Sequence, residues 1–126
     1  MASINRFEQS EAWKASRILA NNIYKMTRQA PFWKDYALRD QIRRSVISVP
    51  TNIAEGFERT SPNEFAYFLS IAKGSAGEVR SLLYLAFDNG YIDAISFNKA
   101  LEQAETTSRL IAGLIRYLKS LPQKRP

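Results

Sequence analysis

The run Gln41-Ile-Arg-Arg-Ser-Val-Ile-Ser-Val-Pro-Thr-Asn-Ile-Ala-Glu-Gly-Phe-Glu-Arg59 decides how this chain folds. Leu38 before it, and Ile42, Ser45, Val49, Ile53 and Gly56 within it, recur every three or four residues. That spacing places apolar and small side chains on one face of a helix. Yet the run also holds Pro50, Asn52 and Gly56. In a helix interior Pro costs about 3 kcal/mol and Gly about 1 kcal/mol relative to Ala. Local rules broken inside a strong amphipathic pattern point to a packing or functional demand. Pro50 removes the donor for the Val46 carbonyl, which predicts a bend, with Ser45 or Ser48 bonding back to a preceding carbonyl. Asn52 falls beside the apolar line, where its amide needs partners. Gly56 lets another backbone come close, and the small residues Ala72, Gly74, Ser75, Ala76 and Gly77 are its expected counterpart. Glu55 with Arg59, and Asp40 with Arg44, stand four apart in the order that supports a helix.

Working outward, the same periodicity gives three more helices. The first is expected over residues 10–29, on a line of Trp13, Ser16, Ala20, Ile23 and Thr27, with Pro31 blocking its continuation. The second spans about 35–58. The third, about 62–89, opens with Ser61-Pro62-Asn63-Glu64, a Ser N-cap with Pro at the first position and Glu at the third, which is a capping box. Phe65, Leu69, Ala72, Ala76, Val79, Leu83 and Ala86 follow at spacings of four and three, and Asn89-Gly90 ends the run in a left-handed turn. Asp93 caps a fourth helix, about 94–121, carrying Phe97, Leu101, Ala104, Ser108, Ile111, Ile115 and Leu118. Residues 122–126 read as a polar tail. No alternating strand pattern competes. Long helices with short connections must run antiparallel, so the expected fold is one all-α, up-down-up-down four-helix bundle over residues 1–126.

Composition narrows the chemistry. The chain has 126 residues, 45% hydrophobic and 24% charged, enough for one domain with a real core. Cys and His are both absent, which excludes a disulfide framework, a thiol nucleophile, a Cys/His zinc site and every imidazole acid–base relay. No apolar run reaches a membrane span, and the first residues lack a signal peptide's apolar stretch, so a cytoplasmic protein with no membrane partner is expected. Eighteen Lys and Arg against twelve Asp and Glu give a formal charge of +6, which favours polyanions.

Asp40-Gln-Ile-Arg-Arg44 with Ser48-Val-Pro-Thr-Asn-Ile-Ala-Glu-Gly-Phe-Glu-Arg59 resembles the signature of the four-helix-bundle proteins of the rRNA intervening-sequence family. That family is similar to the accessory variability determinants of diversity-generating retroelements. The resemblance continues through Glu64-Phe65, Phe68-Leu69-Ser-Ile-Ala-Lys-Gly-Ser75, Glu78-Val-Arg-Ser81 and Tyr91-Ile92, and Trp13-Lys14-Ala15 with Ile23-Tyr24 fits its first helix. Ser45 and Thr51 stand where the family often has other small residues. The resemblance implies an antiparallel bundle assembling as a ring-like homopentamer. In the retroelement branch it also implies a basic surface that meets nucleic acid and a reverse transcriptase.

Two kinds of surface follow from the residues themselves. Second apolar lines at Phe68, Ile71, Leu82 and Leu85, and at Leu110, Leu114, Tyr117 and Leu121, with Ile47 opposite its own core line, exceed what one bundle core needs. They point to self-association; the plainer reading is a wide core face. Lys14, Arg17, Asn21, Lys25 and Arg28 form one stripe on the first helix, Lys73 and Arg80 lie a heptad apart on the third near Tyr84, and Arg109, Arg116 and Lys119 lie on the fourth. Such cations can follow phosphates without any recognition motif. The plainer reading is a solvated helical face diluted by Glu11, Glu102 and Glu105. Catalysis would have to rest on Glu55, Glu78, Asn52, Tyr84 and the serines. The di-metal pattern of bundle carboxylates needs histidines that this chain lacks. Glu55 and Glu78 are instead expected to pair with arginines where the second and third helices meet. The sequence thus describes a non-enzymatic scaffold needing no cofactor or metal, associating with itself and binding RNA or DNA. A protein–protein adaptor facing an acidic partner is the alternative.

Overall fold

A computed structural model describes residues 5–122, and residues 123–126 of the expected tail lie outside them. Four helices follow in order: α1 (Glu11–Thr27), α2 (Tyr36–Phe57), α3 (Pro62–Asp88) and α4 (Ala94–Ser120), with short 3-10 turns at Phe7–Gln9 and Phe32–Lys34. α2 and α4 each pack on both α1 and α3, and the most extensive seams are α2 on α3 and α3 on α4. The result is the expected antiparallel bundle. Among the described residues no helix is long and apolar enough to cross a membrane.

The ends are set locally. The Ser10, Asp35, Ser61 and Asp93 side chains accept the backbone N–H of Trp13, Leu38, Glu64 and Ser96, which satisfies donors that a helix start leaves unpaired. α3 stops in a Schellman arrangement: Gly90 takes φ 74°, its N–H reaches the Phe87 carbonyl at 3.0 Å, and the Tyr91 N–H reaches the Ala86 carbonyl at 2.9 Å.

The core runs the length of the bundle in two stretches. One gathers Leu19, Ile23, Phe32, Ile42, Val46, Val79, Leu83, Phe97 and Ala104; the other gathers Ala12, Val49, Ile53, Leu69, Ala72, Ala76, Ile111 and Leu118. Between them Ser16 and Thr107 are fully buried, and each hydroxyl donates to a carbonyl of its own helix, Trp13 and Gln103. The expected line on α2 is buried throughout, and that on α3 is buried except for a half-exposed Phe65. The lines on α1 and α4 are rotated from expectation. Ala12, Leu19 and Met26 share the buried face of α1, while Trp13 and Ala20 sit at its edge; on α4, Ala100 and Thr107 are buried, while Leu101, Ser108 and Ile115 flank them. The second apolar lines are half covered: Phe68, Leu82, Leu114 and Leu121 are partly buried, whereas Ile47, Ile71, Leu85, Leu110 and Tyr117 face out.

α2 continues through Pro50. The Ser45 hydroxyl donates to the Gln41 carbonyl at 2.9 Å and the Thr51 hydroxyl to the Ile47 carbonyl at 2.7 Å, so back-bonding flanks the proline on both sides. Ser48 plays a different part. It is the acceptor at the centre of a small network, described next.

Candidate nucleic-acid interface

The seam between α2 and α3 absorbs the unusual residues of the Gln41–Arg59 run. The Asn52 amide donates to the Ser48 carbonyl at 2.8 Å and to Ser48 Oγ at 2.9 Å, and Ser75 on α3 donates to the same hydroxyl at 2.8 Å. One turn further along, the Gln41 amide donates to Glu78 at 2.6 Å. Gly56 is buried against α3: a Cβ there would lie 2.8 Å from Phe68 Cβ and 3.2 Å from the Phe65 carbonyl oxygen. The close approach is as expected, but its counterpart differs. Gly56 meets Phe65 and Phe68 beside the α2–α3 connection, where the two helices converge. A Cβ on Gly74 or Gly77 would meet nothing within 4 Å, so these two glycines make no seam with α2.

The ion pairs also resolve differently. Glu55 takes Arg59, just past the end of its own helix, at 2.7 Å, as the spacing predicts, and the Arg59 guanidinium lies over the Phe68 ring at 4.8 Å. Glu78 takes the Gln41 amide instead of an arginine. Asp40 pairs with its neighbour Arg39 at 2.8 Å, and Arg44 turns to Gln41 Oε1 at 3.2 Å. Tyr84 packs edge-on against Phe97 of α4. Glu55, Glu78, Asn52 and Tyr84 therefore do not converge on one site, and among the described residues no group of three or more carboxylates could hold a metal ion.

The cations fall on two separate faces. Lys14, Arg17, Asn21, Lys25 and Arg28 are all exposed along the outer side of α1, opposite its buried residues. Lys14 makes one surface pair with Glu11 at 3.2 Å, and Arg17 lies over Trp13. Lys73 and Arg80 lie on the flank of α3 away from the Ser75–Ser48 bond, in register with Tyr84 and hence toward α4. Arg109 and Arg116, both exposed, continue on α4; Arg109 donates to Thr106 at 3.1 Å. Lys73 is exposed, but Arg80 is half-buried and its Nε has no partner. Because α1 and α3 are diagonal in the bundle, the α1 stripe and the Lys73–Arg80 pair lie on different sides of it.

A model of the 23S rRNA-intervening sequence proteins matches residues 8–113 of this chain. The chain belongs to that family. A solved protein of unknown function from the S23 ribosomal protein family of Bacteroides thetaiotaomicron VPI-5482 shares the fold, with a TM-score of 0.77 and 24% identity over 83% of this chain and 95% of that one. No curated protein matches the sequence.

In this member of the 23S rRNA-intervening sequence protein family the structure also gathers residues that periodicity passed over, at the end of the bundle where α1 leads into α2. Phe32 is fully buried and stacks on Tyr91 at 5.2 Å, and the Tyr91 hydroxyl donates to Asp35 at 2.8 Å. These contacts fix the 3-10 turn, leaving Trp33 and Tyr36 at the surface, 44% and 64% exposed. The Arg39 guanidinium lies 4.3 Å from the Trp33 ring centre and 4.8 Å from that of Tyr36; Arg43 lies 4.4 Å from Tyr24 and 5.4 Å from Trp33. Arg39 also donates to the Trp33 carbonyl at 3.1 Å, and Arg43 donates to the Thr27 hydroxyl at 2.8 Å. The Arg39 hydrogen bond, with the charges of Arg39, Arg44 and Arg43, holds the Asp40 carboxyl below its usual range. The signal was present in composition: four aromatics and six cations lie from Tyr24 to Arg44 outside any apolar line.

Proposed function

We propose that this protein is a non-catalytic scaffold that associates with copies of itself and holds RNA or DNA by its backbone. One observation carries the reading. Lys14, Arg17, Lys25 and Arg28 are all exposed on one outer helix face, with Glu11 as the near counter-charge. Four cations along about 20 Å of helix suit a string of phosphates and carry no sequence information. Exposed Ile47, Ile71 and Leu85, with room for a side chain at Gly74 and Gly77 in mid-helix, support association, since they remain open to solvent among the described residues. A homopentameric ring would repeat the α1 stripe five times, and weak single-site attraction would then sum. The resemblance to retroelement accessory proteins makes a reverse transcriptase the expected protein partner. Exposed Tyr67 and Tyr84 favour a second reading, a protein–protein adaptor, to the extent that nucleic acid fails to bind.

The test is a salt titration with mixed RNA and DNA oligonucleotides. Four neutralised phosphates predict a log–log slope of about −3 to −4. Replacing Lys14, Arg17, Lys25 and Arg28 together by Gln should flatten that slope and abolish binding while the helical spectrum is kept. No retention of wild-type protein at low salt refutes nucleic-acid binding, and a strictly monomeric mass by light scattering refutes the assembly.

A further inference from the structure

We propose that Trp33 and Tyr36, braced by Arg39 and Arg43, form a platform on which unpaired bases of a single-stranded nucleic acid stack. The inference rests on the reading above and names the strand form and the base contact that it leaves open.

Two large rings at the surface of a turn usually lose freedom when a ligand orders them. Here that freedom is already restricted. Arg39 is held by Asp40 and by the Trp33 carbonyl, its side chain only 15% exposed, and its guanidinium lies against both rings. Arg43 is tied to Thr27 and lies against Trp33 and Tyr24. Phe32, buried beneath and stacked on Tyr91, anchors the turn that carries Trp33. The two arginines are therefore occupied as supports, and Trp33 and Tyr36 keep free ring surface toward solvent.

Charge selects the occupant. From Lys25 to Arg44 the chain carries six Lys and Arg against two carboxylates, Asp35 and Asp40. Both carboxylates are engaged within the protein, Asp35 by the Leu38 N–H and the Tyr91 hydroxyl, Asp40 by Arg39. Lys25, Arg28, Lys34 and Arg44 of this stretch are exposed. Exposed aromatic faces among free cations match a strand whose bases are unstacked and whose phosphates run beside them. Duplex bases are already stacked and offer the rings nothing. Arg28 belongs both to this corner and to the α1 stripe, so one strand can leave the platform and follow α1.

The experiment uses the full chain carrying W13F, which leaves Trp33 as the sole tryptophan. Its emission is followed on adding a 20-nucleotide oligouridylate or oligothymidylate, and separately a 20-base-pair duplex, at low salt. The expected result is saturable quenching by the single strands and not by the duplex. Tyr36→Ala, at a highly exposed ring, should weaken single-strand binding by roughly five- to a hundred-fold and leave duplex binding unchanged. Trp33→Phe, which keeps a ring, should retain most of the affinity. Equal binding of both forms with unmoved Trp33 emission overturns the platform while backbone binding stands. Failure of both forms to bind overturns both readings. Should W33A/Y36A lower the assembled mass at undiminished single-strand affinity, the patch is a contact between copies and the platform is wrong.

Discussion

Replacing Gly56 and Gly74 by Ala, one at a time, should move stability in opposite directions. A Cβ on Gly56 would stand 2.8 Å from Phe68 Cβ, 3.0 Å from Phe65 Cδ1 and 3.2 Å from the Phe65 carbonyl oxygen. The Phe65 ring can swing away, but the other two atoms belong to or adjoin the α3 backbone, so α2 and α3 must separate. Overpacking of this kind costs about 1–3 kcal/mol, and alanine's better helix propensity offsets about 1 kcal/mol, leaving a net loss of about 1 kcal/mol. At Gly74 nothing lies within 4 Å, so only the propensity term acts and the variant gains about 1 kcal/mol. In a domain of this size 1 kcal/mol shifts Tm by roughly 3–5 °C, so the two variants should differ by about 6–10 °C. Melts followed by circular dichroism, at protein concentrations dilute enough to hold the chain monomeric, check this. If both variants rise together, α3 does not press on Gly56, and the account of why the Gln41–Arg59 run breaks helical rules is wrong.

Asn52→Ala removes two hydrogen bonds to Ser48 and should cost about 1 kcal/mol by denaturant titration after alanine's own propensity is counted; a more stable variant would show that the network contributes nothing. The Tyr91–Asp35 bond predicts a pH response. The Leu38 N–H and then the Tyr91 hydroxyl hold the Asp35 carboxyl below its ordinary 3.8, so its contribution is fully present above that value and is lost as pH falls through the lowered one. The bond to Asp35 raises the Tyr91 phenol above its ordinary 10.0, so its contribution is present below 10.0 and is lost as pH rises through the raised value. Tyr91→Phe should therefore shrink the acid-side loss without abolishing it and remove the alkaline loss of this group; wild-type slopes on both limbs would refute the coupling.

How far the sequence led depended on whether a feature was periodic. On α2 a single line of small and apolar residues at Leu38, Ile42, Ser45, Val49, Ile53 and Gly56 permits one orientation, and every member is buried. On α1 and α4 the apolar face is wider. A path of threes and fours passes as well through Trp13 and Ala20 as through Ala12, Leu19 and Met26, and neighbouring helices decide which is central. Glycine was ambiguous for a related reason: its lack of a side chain signals a close neighbour at Gly56 and open space at Gly74 with the same letter. The α1 stripe was legible because cations opposite a buried face must be exposed. The Trp33–Arg39–Tyr36 cluster was not, since it is assembled by a buried Phe32 and a tyrosine from the α3–α4 turn, far off in sequence.

The chain enters α1 and leaves α4 at one pole of the bundle, where Thr60, Ser61, Pro62 and Asn63 share a cleft with Leu118 and Leu121. Trp33 and Tyr91 mark the other pole. Any module joined ahead of α1 or behind α4 would thus start from the far side, so a reporter or a surface tether can be fused there with the Trp33 pole still presented outward.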